Sequence, residues 1–177
     1  MKRLIMCEGP NELEVVRILL ENEAFTFSED DLLGLMPYHA RQIKGSAMVR
    51  TALSIYPGYD VLVMRVGDKQ SDRLTIPSDY AGKICGIEKY CTKPELEILL
   101  IISEGLINEY EKVKSKDSPK AFAKKNISWR RRQYDNSSAF YREYFGSDPG
   151  KLITAIREYK RIRVHQKDEC YLADILK

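Results

Sequence analysis

Two carboxylates follow apolar runs at positions where a parallel sheet would bring them together. Residues 4–7 are apolar and lead directly into Glu8, and a helical pattern begins at Pro10. Residues 60–66 are nearly continuously apolar and lead through a glycine into Asp68. The carboxyl ends of parallel strands share the edge of a sheet where ligands collect. The sequence therefore predicts that Glu8 and Asp68 converge, although each could instead be a solvated loop acid.

Carboxylates that converge need a compensating cation. Asp72 follows Asp68 by one short loop and adds a third acid to the same region. Oxygen ligands without a nearby histidine favour magnesium over zinc or copper. The two histidines, His39 and His165, are far from the four cysteines, which contain no Cys-x-x-Cys pair. We therefore expect Mg²⁺ or Mn²⁺ as cofactor and reduced, buried thiols rather than a zinc site or disulfides.

The remaining pattern of the first 110 residues is typical of an α/β fold with a mostly parallel, Rossmann-like sheet. Ser46 predicts the start of a helix that runs to about residue 56, and residues 84–87 predict a short strand. Thr92 with Glu95 predicts a capping box at the start of the next helix. Glu97 lies in that first turn and is either an acid that interacts with the helix dipole or a functional acid.

Charge is divided unevenly along the chain. Residues 1–110 contain 12 Lys and Arg against 17 Asp and Glu, whereas residues 111–177 contain 17 against 9. The second part also carries helix-start signals at Ser118, Asn136 and Asp148, which predict a basic helical extension packed on the core. The asymmetry indicates a nucleic-acid contact in the extension, or two parts that neutralise one another.

Arginines and aromatic residues alternate in the extension around Arg130, Arg131 and Arg132, which lie between Trp129 and Tyr134. Such side chains suit backbone phosphates and unstacked bases, so we predict that these three arginines bind nucleic acid. A run of arginines can equally be a solvated face.

No apolar run of the chain approaches the roughly 20 residues that are needed to cross a bilayer. The apolar run that follows Met-Lys-Arg at the start is too short for a signal peptide. We therefore expect a cytoplasmic protein.

Three motifs together resemble the Toprim domain, an α/β fold of topoisomerases, primases, ribosomal-RNA maturases and phage-defence nucleases. The first is Glu8-Gly9 with Asn11-Glu12 after the first strand, and the second is the acids after residues 60–66. The third is residues 93–97, Lys-Pro-Glu-Leu-Glu, followed by Ile-Leu-Leu, which is similar to a helix start in the RloB-type branch, close to the OLD-type nucleases. The resemblance covers residues 1–110, with 111–177 as the extension.

The resemblance implies a magnesium-dependent nuclease that cleaves phosphodiester bonds in RNA or DNA. It implies catalytic roles for Glu8, Asp68 and Glu97, metal binding by Glu8, Asp68 and Asp72, and a nucleic-acid contact by Lys93. It further implies a phage-defence effector that works with an ATPase partner. Val66 stands where the family carries an acid, so the alternative is a catalytically inactive nucleic-acid-binding or regulatory module.

Overall fold

The chain folds around a four-stranded parallel sheet. A computed structural model describes residues 1–68 and 73–177. The strands are β1 (Lys2–Cys7), β2 (Tyr38–His39), β3 (Val61–Gly67) and β4 (Ile84–Cys91), and their order in the sheet is β2-β1-β3-β4. All neighbouring pairs are parallel. The predicted α/β class is therefore confirmed, and the strand predicted over residues 84–87 extends further, to Cys91.

Helices cover the sheet and form most of the second part of the chain. They are α1 (Pro10–Glu21), α2 (Ala47–Ile55), α3 (Ser78–Ala81), α4 (Ile98–Ser103), α5 (Ile107–Val113), α6 (Pro119–Asn126), α7 (Ser138–Gly146) and α8 (Pro149–Ile162). The hydroxyl of Ser46 caps α2, that of Ser118 caps α6 and the carboxylate of Asp148 caps α8, as predicted. Ser137, one residue after the predicted start, caps α7.

Both faces of the sheet are buried. Side chains alternate along its strands and so pack into two different apolar clusters. Ile5 and Cys7 of β1 face a large apolar cluster that includes α1, α4, α7 and α8. Leu4 and Met6 face a smaller cluster that includes Val49 of α2. The same large cluster contains residues from before and after position 110, so the later helices pack directly on the core. The domain boundary at that position stays a prediction.

The capping box predicted at Thr92 is wrong. Thr92 is buried, and its backbone N–H donates to the carbonyl of Gly67, so residue 92 continues the pairing of β4 with β3. The helix α4 begins only at Ile98. The side chain of Glu95 instead accepts a hydrogen bond from the backbone N–H of Lys120, in the first turn of α6. Pairing along the sheet outweighs the local capping signal here.

The prediction of buried thiols is confirmed for two of the four cysteines. Cys7 and Cys91 are buried, Cys170 is half-buried, and Cys85 is exposed on the edge strand β4. All four are free thiols. Among the described residues, none of the helices has the length and apolar character needed to cross a bilayer.

Candidate active site

Glu8 and Asp68 meet at the carboxyl edge of the sheet. Their strands β1 and β3 are hydrogen-bonded neighbours in register, with Cys7 opposite Val66. The backbone N–H of Asp68 donates to Oε2 of Glu8 at 3.3 Å. The predicted convergence of these two acids is therefore confirmed, and it follows directly from the parallel pairing of two strands that each end in a carboxylate.

Glu12 brings a third carboxylate to the same place. It lies in the first turn of α1, and Gly9 leaves the space that its side chain needs. A Cβ atom added at Gly9 would lie 2.6 Å from Oε2 of Glu12, which is too close for a carbon and an oxygen. Glu12 is part of the first sequence motif but is not among the predicted site residues. The available signal was its place in the first turn of the helix that follows Glu8 directly.

Glu97 contributes a buried carboxylate from the segment between β4 and α4. Glu97 is only 3% exposed, and its Oε1 accepts a hydrogen bond of 2.6 Å from the hydroxyl of Tyr134. That hydroxyl also lies 3.2 Å from Oδ1 of Asn136, which in turn accepts from Nδ2 of Asn11 at 3.1 Å. A polar network thus connects Glu97 to the start of α1, and it depends on residues from after position 110.

These acids surround one cavity of about 220 Å³. Its walls come from β1, α1, β3, the segment before α4, and the start of α6. Five carboxylates and two cations line it: Glu8, Glu12, Asp68, Glu95, Glu97, Arg41 and Lys120. Arg41 forms an ion pair with Glu8 at 3.0 Å, and its side chain remains 67% exposed. The cavity is therefore lined mainly by acids, and the exposed arginine side chain of Arg41 lies at its rim.

Burial, together with neighbouring negative charge, raises the pKa of Glu8 and of Glu12. Burial raises the pKa of Glu12 to about 7, and the charges of Asp68, Glu8 and Glu97 add to the effect. Burial also raises the pKa of Glu8, with a further contribution from Asp68, while Arg41 opposes the shift. These carboxylates are thus only partly compensated by the protein itself.

The pKa of Glu97 is raised as well, chiefly because the side chain is buried. The hydrogen bond from Tyr134 opposes that shift because it stabilises the ionised form. Glu97 is therefore a fixed, buried acid of the site and not a surface acid that only interacts with a helix dipole.

The donor set fits a magnesium ion in its chemistry. Hard carboxylate oxygens surround the cavity, and Mg²⁺ usually keeps several waters and takes only one or two protein carboxylates. Glu8 and Asp68 are the pair at the strand ends. Within residues 1–68 and 73–177, no three His, Cys, Asp or Glu side chains are grouped closely enough to hold a metal ion by themselves. Asp72, the third predicted ligand, lies outside the described residues.

The predicted nucleic-acid contacts lie in two places outside the cavity. Arg130 and Arg131 form the exposed turn between two short antiparallel strands, β5 (Ser128–Trp129) and β6 (Arg132–Gln133). Both turn residues have positive φ, 47° and 68°. The guanidinium of Arg130 lies over the ring of Trp129, with 5.6 Å to the ring centroid. Two arginines are thus presented to solvent at the tip of a hairpin.

The other two predicted contacts are engaged in ion pairs. Arg132 pairs with Asp135 at 2.6 Å and with Glu143 at 2.7 Å. Lys93 pairs with Glu169. These interactions fix both cations within the fold, so each would have to give up a carboxylate to contact a phosphate.

Comparison of this chain with protein-family models, curated proteins and solved structures found no match.

Proposed function

We propose that this protein is a magnesium-dependent nuclease of Toprim-like fold that hydrolyses phosphodiester bonds in RNA or DNA. One observation carries the proposal: five carboxylates, from the ends of β1 and β3, the start of α1 and the segment before α4, line one cavity at the carboxyl edge of a parallel sheet. Parallel sheets place their chemistry at this edge. Burial raises the pKa values of Glu8, Glu12 and Glu97, so these acids lower the stability of the folded protein when they are ionised. Stability therefore does not explain why they lie together.

The roles of the residues follow from their positions. Glu8 and Asp68 would hold the ion at the ends of β1 and β3. A bound magnesium ion supplies neutralisation of the phosphate charge and of the charge that develops as the bond breaks. Glu12 lies beside this pair and would accept a proton from the attacking water, while Lys120 and Arg41 would contact phosphate oxygens. The network through Tyr134 would keep Glu97 oriented toward the cavity.

The test is cleavage of labelled single-stranded RNA and double-stranded DNA with Mg²⁺ or Mn²⁺, and with EDTA as the metal-free control. We expect products only with the divalent ion. Glu8→Gln and Asp68→Asn should each reduce the rate by about 100-fold or more, the range for loss of an acid–base or metal-binding group. Glu109→Gln, an exposed acid on α5, is the matched control and should leave the rate unchanged. Cleavage that persists in both site variants would disprove the assignment.

A second candidate is a nucleic-acid-binding or regulatory module without hydrolysis. The sequence favours it in one respect, because Val66 stands where the Toprim family carries an acid. This candidate predicts salt-dependent binding without products under any divalent ion. In either case we propose that an ATPase partner acts with this protein in phage defence, as the RloB-type resemblance implies.

A further inference from the structure

Four cations of α6 and of the hairpin that follows it have no ion-pair partner within residues 1–68 and 73–177. They form what we call the cationic track, which consists of Lys120, Lys124, Arg130 and Arg131. Other cations of the same region are paired, Lys125 with Asp117 at 2.8 Å and Arg132 with Asp135 at 2.6 Å. Three members of the track are exposed, and Lys120 is half-buried. The track therefore has positive charge to offer to an external anion.

The cationic track begins at the acidic cavity. Lys120 lines that cavity, and its backbone N–H donates to Oε2 of Glu95 at 2.9 Å, which fixes the first turn of α6 at the cavity wall. Lys124 lies one turn further along α6, on the same face as Lys120 and about 6 Å away along the helix axis. That spacing is similar to the separation of neighbouring phosphates in a nucleic-acid strand.

The hairpin of β5 and β6 continues the cationic track. The side chain of Gln133 in β6 donates to the carbonyl of Lys124 at 2.7 Å, so β6 lies against the second half of α6. Tyr134, which follows β6, places its hydroxyl 2.6 Å from Glu97 at the acidic cavity. Arg131 precedes Tyr134 by three residues, which corresponds to about 10 Å along an extended chain. Both α6 and β6 thus connect the cavity with the exposed tip of the hairpin.

The aromatic residue beside the cationic track is already engaged within the protein. The guanidinium of Arg130 lies over the ring of Trp129. Tyr144 packs edge-on against the same ring, with 5.4 Å between the ring centroids and 77° between the planes. The Nε1 atom of Trp129 is buried. A base could stack on Trp129 only if these contacts were lost, so the track offers charge to phosphates rather than a stacking surface to bases.

We infer that the cationic track binds the backbone phosphates of a nucleic-acid strand that extends beyond the acidic cavity, independently of the base sequence of that strand. Ammonium and guanidinium groups bind phosphate through charge-assisted hydrogen bonds, and such contacts position a strand without reading its bases. The inference rests on the proposed function, since it assigns the path of the substrate on one side of the same site. It adds Lys124 to the contacts and leaves out Arg132, which is paired within the fold.

The test is binding of a labelled single-stranded oligonucleotide in EDTA, where no metal-dependent cleavage takes place, as a function of salt. The track variant is Lys124→Gln with Arg131→Gln, which leaves Lys120 in the cavity and Arg130 over its ring. Each lost phosphate contact should reduce the magnitude of the slope of log K against log salt by about 0.7. Two lost contacts then correspond to about 25-fold weaker binding at about 0.1 M salt. Lys124→Arg with Arg131→Lys keeps both charges and should keep most of the affinity.

The matched control is Arg17→Gln with Lys167→Gln, which removes the same total charge from exposed positions on α1 and after α8. Circular dichroism checks that each variant is folded. An unchanged slope and affinity in the track variant, or a loss equal to that of the control, would overturn the inference. Wild-type protein with no measurable affinity for the strand would overturn it too.

Two further probes test what the track recognises. Oligouridine and oligoadenosine of equal length should both be bound more weakly by the track variant, by the same factor, and a loss confined to one of them would overturn the backbone contact. Oligoglutamate of equal charge should compete far more weakly than the strand. If it instead competes equally and loses its affinity in the track variant, the surface is one for an acidic protein and the inference fails.

The outcomes are distinguishable from those of the nuclease test because binding is measured without a divalent ion. If Glu8→Gln abolishes cleavage while the track variant keeps the wild-type affinity, the nuclease stands and the track fails. If no divalent ion gives products but the track variant binds the strand more weakly than the control does, the track stands and the nuclease fails.

Discussion

Replacement of Glu12 by glutamine should change how the stability of the metal-free protein depends on pH. The pKa of Glu12 is about 7 in the folded protein, against 4.5 for an ordinary glutamate. At about 1.4 kcal/mol per pKa unit, this difference corresponds to about 3 kcal/mol. The folded state binds the proton more tightly than the unfolded chain. Stability from this group is therefore complete below pH 4.5 and is lost as the pH rises toward 7.

The measurement is urea unfolding between pH 4.5 and 8.5 with EDTA present. Glu12→Gln carries no charge, so its stability relative to wild type should increase by about 3 kcal/mol across this range. The comparison is between two proteins because other groups titrate in the same window. His165, for example, has a pKa lowered by burial, and it acts in the opposite direction in both. Glu109→Gln is the control and should follow wild type.

The prediction is wrong if the difference in the free energy of unfolding between Glu12→Gln and wild type stays constant with pH. Such an outcome would mean that the pKa of Glu12 is the same in the folded and the unfolded protein, and that the cavity compensates its acids better than the structure indicates. Addition of Mg²⁺ gives a second reading. A bound cation lowers the pKa of its carboxylate neighbours, so the pH dependence of the wild type should weaken with magnesium and stay unchanged with added potassium at equal ionic strength.

Three further variants test the hairpin and the contact between α1 and α7. Arg130→Asn with Arg131→Gly places residues suited to positive φ in the turn and should raise the free energy of unfolding by about 1–2 kcal/mol. The same variant should weaken salt-dependent binding to a single strand, and unchanged affinity would exclude the hairpin as a contact. Arg142→Gln should lower stability by about 2 kcal/mol because Glu14, which is 9% exposed, loses its partner. Glu21→Gln removes only the exposed partner of Arg142 and should change stability by less than about 1 kcal/mol, and equal losses in the two would contradict this account.

The sheet and the two acids at its edge could be predicted from sequence because both depend on local pattern. An apolar run that ends in a carboxylate defines a strand and its end, and parallel pairing then fixes where Glu8 and Asp68 meet. The environment of Glu97 could not be predicted in this way. Its partner Tyr134 is 37 residues away and reaches it only through packing of the later segment. The capping signal at Thr92 failed for a related reason, since pairing with Gly67 is a tertiary interaction.

The hairpin around Arg130 was also outside what local pattern can predict. Tight two-residue turns of this kind favour Asn and Gly, because both tolerate positive φ. Two arginines in those positions give no turn signal, and the run was therefore expected within a helical extension. The backbone cost of such residues makes the pair an outlier that suggests a function for the exposed guanidinium groups.

The charge asymmetry of the chain is explained in part by ion pairs inside the protein. Part of the positive charge after residue 110 is used inside the protein: Arg142 pairs with Glu14 and Glu21, and Lys151 pairs with Glu104 at 2.7 Å. These pairs hold later helices against earlier ones, so a basic sequence does not by itself indicate a basic surface.

The two cations that line the acidic cavity come from both parts of the chain. Arg41, which pairs with Glu8, lies in the acidic first part. Lys120 is the contribution from the second part. Net charge summed over a segment therefore gives little information about the site, because side chains of both signs must lie within a few ångströms of one phosphate for that phosphate to be bound and cleaved.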